Sequence, residues 1–437
     1  MDVLQQIVSN TQPGPLYSAD LGGSPIVANP IVRLIAFFLP QFHPIPENDA
    51  WWGKGFTEWT NVTKAVPRFP GHYQPRLPGE LGFYDLRAPE TLQRQAALAK
   101  RYGVHGFCFH HYWFNGHRLL EQPLNVLLDH PEIDIPFCIN WANENWSRRW
   151  DGREQDTLIA QQHSPEDDIA FATSLEPLFR DPRYIRIDGR PLLILYRPEL
   201  LPDAAATVQR WREHFVREGL GDPYIMMVQC FGDNNPNKYG MDAAVGFPPH
   251  NGGWDGARIG GDFSFFDKDY QGNVFDYSEM ALRSLRNMTD EFKFFPGVCP
   301  AWDNEARKPG KGFCFAGSTP QKYARWLEAA CRSVMDRERT DERLVFVNAW
   351  NEWAEGAYLE PDRHFGYAYL AETAKVLNNI SLPPSEVATR NQSAGAIDPA
   401  SSGKALHKTE KLGRFLRKFT RKGAYFADGI ARKLRSW

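Results

Sequence analysis

No stretch of this sequence approaches the roughly 20 consecutive apolar residues of a membrane-spanning helix. The first residues, Met1-Asp2-Val3-Leu4-Gln5-Gln6, lack the basic start and apolar core of a secretory signal. The six cysteines, Cys108, Cys138, Cys230, Cys299, Cys314 and Cys331, form no C-x-x-C pair and no zinc-ligand spacing. They read as buried free thiols of a reducing compartment, so the expected location is cytoplasmic. Neither a glycine-rich dinucleotide fingerprint nor a phosphate loop is present, which removes the usual grounds for nucleotide binding by an open sheet. Excess positive charge is missing from most of the chain. Residues 403–437 hold 11 Lys and Arg against 2 acids, leaving 39 basic and 51 acidic residues in the other 402. So acidic a body is a poor partner for nucleic acid.

Aromatic residues, by contrast, are abundant: 14% of 437, with 14 tryptophans. Large cores use aromatics, and so do clefts that bind carbohydrate. The densest stretch is Val345-Phe346-Val347-Asn348-Ala349-Trp350-Asn351-Glu352-Trp353-Ala354-Glu355-Gly356. Its first half is an apolar, β-branched run of strand length. Its second half sets two carboxylates three residues apart among tryptophans. Indole faces cover the apolar face of a pyranose, and carboxylates move protons at a glycosidic oxygen. The plain alternative is a helix N-terminus, where Glu352 and Glu355 would complement the dipole.

Seven further apolar runs precede that one: Val32–Phe38, Gly106–Phe109, Pro136–Ile139, Pro191–Leu195, Tyr224–Val228, Ala243–Gly246 and Phe295–Cys299. Leu344–Ala349 is the eighth. Amphipathic patterns over Pro89–Arg101, Ser164–Leu178, Asp203–Glu218 and Pro320–Glu338 separate many of them. Eight strands alternating with helices predict a (β/α)8 TIM-type barrel over residues 31–380. A loose leader over 1–30, packed across the body, precedes it. A flexible linker over 381–403 and a basic amphipathic helical tail over 404–437 follow.

Nearly every run ends in polar or aromatic residues, and in a barrel those ends share one face. The expected glutamate pair is Glu352 and Glu355. The expected sugar contacts are His43, His110, His111, Tyr112, Trp113, Asn140, Trp141, Asn143, Glu144, Tyr196, Trp302, Trp350, Asn351 and Trp353. For each, packing of the barrel mouth is the alternative. His110 and His111 are not expected to share a metal ion, because adjacent strand residues point to opposite faces. The connection over 44–88, with Trp51, Trp52, Glu58 and Trp59, is long enough to contribute to a site.

Five segments carry a resemblance: Phe37 to His43, Gly55 to Trp59, Gly106 to Phe114, Asn140 to Glu144, and Trp350 to Gly356. Together they resemble the WbsX-type family of bacterial O-antigen and surface-polysaccharide clusters, named as glycosyltransferases. That family is similar in turn to glycoside hydrolase family 99. The resemblance covers about residues 31–380 and implies retaining chemistry with no metal or other cofactor. It implies that Glu352 takes the proton of the sugar's own 2-hydroxyl, which attacks C1. It implies likewise that Glu355 protonates the leaving oxygen and then activates the acceptor. Ala354 stands where the hydrolases often carry histidine.

Two rival readings remain. A metal-dependent sugar-nucleotide transferase would use an acidic pair such as Asp267-Lys268-Asp269, and a non-catalytic barrel would only bind polysaccharide. The tail places Leu412, Phe415, Leu416 and Phe419 on one helical face beside Lys411, Arg414, Arg417, Lys418, Arg421 and Lys422. That pattern suits an anionic membrane surface. The expected partners are therefore an oligosaccharide or lipid-linked glycan and the inner face of the cytoplasmic membrane.

Overall fold

Buried parallel strands need side chains that are apolar on both faces, and the runs named above meet that demand. In the computed structural model they become β1 (Arg33–Phe38), β2 (Val104–Phe114), β3 (Phe137–Trp141), β4 (Arg190–Leu195), β5 (Tyr224–Gln229), β6 (Ala243–Gly246), β7 (Phe294–Phe295 with Gly297–Val298) and β8 (Leu344–Val347). The structure describes residues 2–22, 27, 30–148, 153–232, 235–252 and 264–381. All eight pair in parallel, in the order β6-β5-β4-β3-β2-β1-β8. The two halves of β7 close the ring on either side of Pro296. Phe294 and Phe295 pair with Ala244 and Val245 of β6, and Gly297 and Val298 pair with Phe346 and Val347 of β8. At this closure the backbones nearly touch: a Cβ on Gly297 would run into the Gly246 carbonyl.

Helices follow most strands. Those named here are α1 (Val3–Asn10), α2 (Pro89–Arg101), α3 (Gln122–Asp129), α4 (Pro165–Arg180), α5 (Ala204–Arg217), α6 (Tyr277–Arg286), α7 (Pro320–Val334) and α8 (Ala368–Ser381). Ser164, Asp203, Asp276 and Thr319 cap α4 to α7, each accepting the backbone N–H three residues on. Between β5 and β6 the described residues include a 3₁₀ turn, Pro236–Tyr239, in place of a longer helix. No helix of the described residues is long and apolar enough to cross a membrane. All six cysteines are buried, and no disulfide joins them.

Two expectations need correction. Residues 3–18 do pack across the body, but as an ordered segment and not a loose one. α1 carries a capping box from Asp2, and Asn10 donates to the carbonyls of His72 and Gln74 at 2.8 Å each. Ser18 bridges to Gly366. Residues Met1–Asn378 accordingly form one compact unit. The second correction concerns β2, which continues to Phe114 instead of ending at Phe109. Pairing with His117–Leu119 supports the extension. The linker and tail, apart from Ser381, lie outside the described residues.

Candidate active site

After β8 the chain forms a tight hairpin. Asn351 and Glu352 pair antiparallel with Tyr358 and Ala357, and a 3₁₀ turn, Trp353–Glu355, joins them. The turn ends at Gly356, in the left-handed region at φ 60°. A side chain there would be strained and would come within 2.8 Å of Arg76 Nε. Glu352 and Glu355 thus sit on a hairpin turn at the C-terminal mouth of the barrel. A helix N-terminus is not what holds them.

One guanidinium organises the carboxylates. Arg307, in the connection after β7, donates from Nη2 to Glu352 (2.8 Å), from Nη1 to Glu355 (2.5 Å) and from Nε to Glu58 (2.7 Å). Trp302 Nε1 donates to the other oxygen of Glu355 at 3.2 Å. Burial pushes the Glu352 carboxyl up to about 8; Arg307 opposes the rise, and Glu355 and Glu58 add to it. Burial thus favours the protonated form of this carboxyl.

His110 Nε2 lies 3.9 Å from the second oxygen of Glu352. The Asn140 amide donates to His110 Nδ1 at 3.2 Å, which places the ring proton on Nε2, facing the carboxylate. Burial lowers this imidazole to about 4, which favours the neutral ring, its Nε2–H turned toward Glu352 but beyond hydrogen-bond distance. Tyr112, two residues on, shares that face of β2. Its hydroxyl is held protonated by burial and then by Glu352. Tyr196 packs against Phe247 at 5.6 Å on the far side of the mouth. A cavity of about 350 Å³ opens above Arg307, lined by Trp51, Trp52, Phe56, Asn61 and Lys64. The mouth therefore brings Glu352, Glu355, His110, Tyr112, Asn140, Tyr196 and Trp302 together with Glu58, Trp51 and Trp52 from the long loop.

Other expected contacts lie elsewhere or are already occupied. His111 and Trp113 point to the outer face of β2. His111 packs against Phe171 of α4, and Trp113 donates to Asp167 at 2.9 Å. Trp141 stacks on Phe171 at 4.4 Å and meets Trp211 of α5 at 5.8 Å. Strand alternation sends these side chains beneath the helices, out of reach of the mouth. Trp350 is fully buried against Phe107. Trp353 stacks on Tyr358 at 3.8 Å and donates to Glu360 at 2.6 Å, and Trp59 packs beside it. Asn351 spends its amide on both backbone groups of Leu39, at 2.7 and 3.0 Å. Asn143 likewise brackets the backbone of Arg197, at 2.8 Å to each group, and Glu144 pairs with that guanidinium at 2.8 Å. His43 is buried, its Nδ1 lies 3.2 Å from the Pro44 carbonyl oxygen, and Asp85, Arg87 and Glu121 are among the charges that act on it.

Arg307 is the member of this cluster that the sequence reading missed. It sits four residues beyond Asp303, in a connection of unremarkable composition. Extending the strand-end rule one turn past Trp302 would have reached it.

Neither acidic cluster nearby suits a cation. His72, Asp303 and Cys314 bring donor atoms within 4.8 Å of one another. However, His72 Nδ1 accepts the Arg68 backbone N–H at 3.0 Å, so Nε2 carries the ring proton and gives it to Asp303 at 2.8 Å. Asp267 is paired with Arg68 at 3.0 Å and also accepts the Asp269 backbone N–H.

The family described as Glycosyltransferase WbsX matches residues 34–373. The uncharacterized protein WxcX of Xanthomonas campestris pv. campestris, in each of two strains, is 47% identical over 344 residues. That match covers 79% of this chain and 49% of WxcX, so the chain spans about half the length of the curated relatives it matches. Among solved structures, the GH99 endo-α-mannosidase of Bacteroides thetaiotaomicron superimposes with a TM-score of 0.50 at 16% identity, over 83% of this chain and 99% of that one. A glycoside hydrolase-like protein gives a TM-score of 0.52 at 14% identity, over 86% and 99%. At such identities the likeness establishes the fold.

Proposed function

The chain belongs to the WbsX glycosyltransferase family, and from that premise we propose that it is a carbohydrate-active enzyme of bacterial surface-polysaccharide synthesis. It transfers or cleaves α-linked glycosyl units with retention, using Glu352 and Glu355. The observation that carries this reading is the single Arg307 guanidinium bonded to both carboxylates. They sit at the barrel face where such folds place their chemistry, beside a cavity lined by Trp51 and Trp52. A cation-dependent transferase built on Asp267 and Asp269 is disfavoured, because Asp267 is already paired with Arg68 and accepts the Asp269 backbone N–H.

A retaining acid/base pair needs one proton between two carboxyls, and burial supplies a site for it at Glu352. In the related hydrolases the residue at this position acts first as base. That assignment requires the proton to pass to Glu355 when a sugar hydroxyl displaces Arg307. Whether a glycan or water accepts the glycosyl unit depends on what fills the cavity above Arg307.

The test is single-turnover product analysis on α-linked oligosaccharides, free and lipid-linked, with and without EDTA. Transfer or cleavage with retained configuration, resistant to EDTA and lost in Glu355→Gln, is the expected result. Activity lost to EDTA but kept by that variant would replace this reading with a metal-dependent one.

We further propose that residues 404–437 hold the enzyme at the cytoplasmic membrane surface, beside lipid-linked glycan. Reversing Arg414, Arg417, Lys418 and Arg421 to Glu is expected to abolish binding to anionic vesicles at about 0.1 M salt. Each basic residue near such a surface contributes about 1 kcal/mol. Equal binding by variant and wild type would refute the idea.

A further inference from the structure

Glu58 belongs to the long connection after β1, far in sequence from the hairpin that carries Glu352 and Glu355. It opens the short helix Glu58–Val62, capped by Thr57, and its backbone N–H donates to the Gln41 carbonyl at 3.0 Å. Its side chain has no exposed surface, and one carboxylate oxygen, Oε2, is buried without a hydrogen-bond partner. The other oxygen accepts Arg307 Nε at 2.7 Å and, at 3.5 Å, the Asn61 amide. A buried carboxylate that lacks a full set of partners is costly, so its presence calls for an explanation beyond packing.

We propose that Glu58 and Arg307 are positioning residues for the glutamate pair. Arg307 sets the spacing and direction of Glu352 and Glu355 by donating to both. Glu58 fixes the guanidinium plane through Nε and supplies the third negative charge, which makes the cluster retain a proton. This rests on the reading of Glu352 and Glu355 as the catalytic pair.

The geometry supports each part. A guanidinium presents its donors in a rigid planar fork, so fixing Nε fixes the directions of both Nη groups. Three carboxylates against one guanidinium leave an excess of two negative charges in a site largely closed to water. One retained proton halves that excess. The groups facing Glu352 are Arg307 from the connection after β7, Glu355 from its own turn, Glu58 from the long loop, and His110 and Tyr112 from β2. Of these, Glu58 and Glu355 push its proton affinity up and Arg307 pulls it down.

The signs give a test that needs no substrate. In the full-length protein, with glutamate labelled with ¹³C at the side-chain carboxyl, the Glu352 signal is identified by its loss in Glu352→Gln and titrated. Glu58→Gln keeps the shape of the residue and an oxygen to accept from Nε, but removes its charge. It is expected to lower the Glu352 midpoint by about one pH unit, a usual shift on losing a nearby like charge. Arg307→Gln is expected to move it the opposite way. A Glu352 midpoint unmoved in Glu58→Gln overturns the proposal, whether or not Arg307→Gln folds. If Glu58→Gln moves the midpoint while Glu352→Gln and Glu355→Gln both keep full turnover, the clamp stands and the catalytic reading fails.

Discussion

Glu355→Gln and Glu352→Gln are each expected to lower kcat by about 10²–10⁴-fold, the range that general acid or base catalysis supplies. Both proteins should remain folded. The amide matches the carboxyl in shape, and burial already favours the uncharged form of Glu352. A glycosyl fluoride separates the roles, since fluoride leaves without a proton. The variant lacking the acid should regain much of its rate on that substrate, and the variant lacking the base should not. Near-normal turnover of a natural glycoside by either variant would remove that residue from the mechanism. The same shift fixes a stability effect. A carboxyl whose folded value exceeds its unfolded one contributes stability that is fully present below about 4.5 and lost as pH rises through about 8. Glu352→Gln is spared that loss, so its melting temperature relative to wild type should rise between those limits.

Trp141→Ala is expected to cost about 3–5 kcal/mol of folding stability, the usual penalty for emptying a large aromatic site in a core. The indole is 1% exposed and lies between Phe171 of α4 and Trp211 of α5, where it fastens both helices to β3. Denaturant unfolding of the variant measures this directly. A ligand-binding role would give the reverse pattern: unchanged unfolding with a raised KM. Trp51 and Trp52 differ in kind. They are only half-buried and line the cavity over Arg307, so they are better placed than Trp141 to meet a sugar.

The barrel was legible because its signals are local. β6 coincides with the apolar run Ala243–Gly246, α2 with the amphipathic pattern Pro89–Arg101, and α7 begins at the Pro320 marked by its cap. A strand buried on both faces must be apolar, and a helix packed on one side must be periodic, whatever lies elsewhere in the chain. The hairpin with its two glutamates was legible for a related reason: Asn351 to Gly356 is contiguous. What the tertiary structure decided was which side chains meet. Where β2 stops does not follow from its sequence, and its extension to Phe114 turns His110 and Tyr112 inward and His111 and Trp113 outward. Trp141 reads like a sugar platform until α4 and α5 are placed against it. Arg307 reads like any loop arginine until barrel closure at Pro296 brings its connection over the mouth, within bonding distance of Glu58 on one side and Glu352 and Glu355 on the other. Periodicity and capping act over a few residues, and the sequence records them. The charge balance of the site depends on contacts between segments some 250 positions apart, which only the closed barrel brings together.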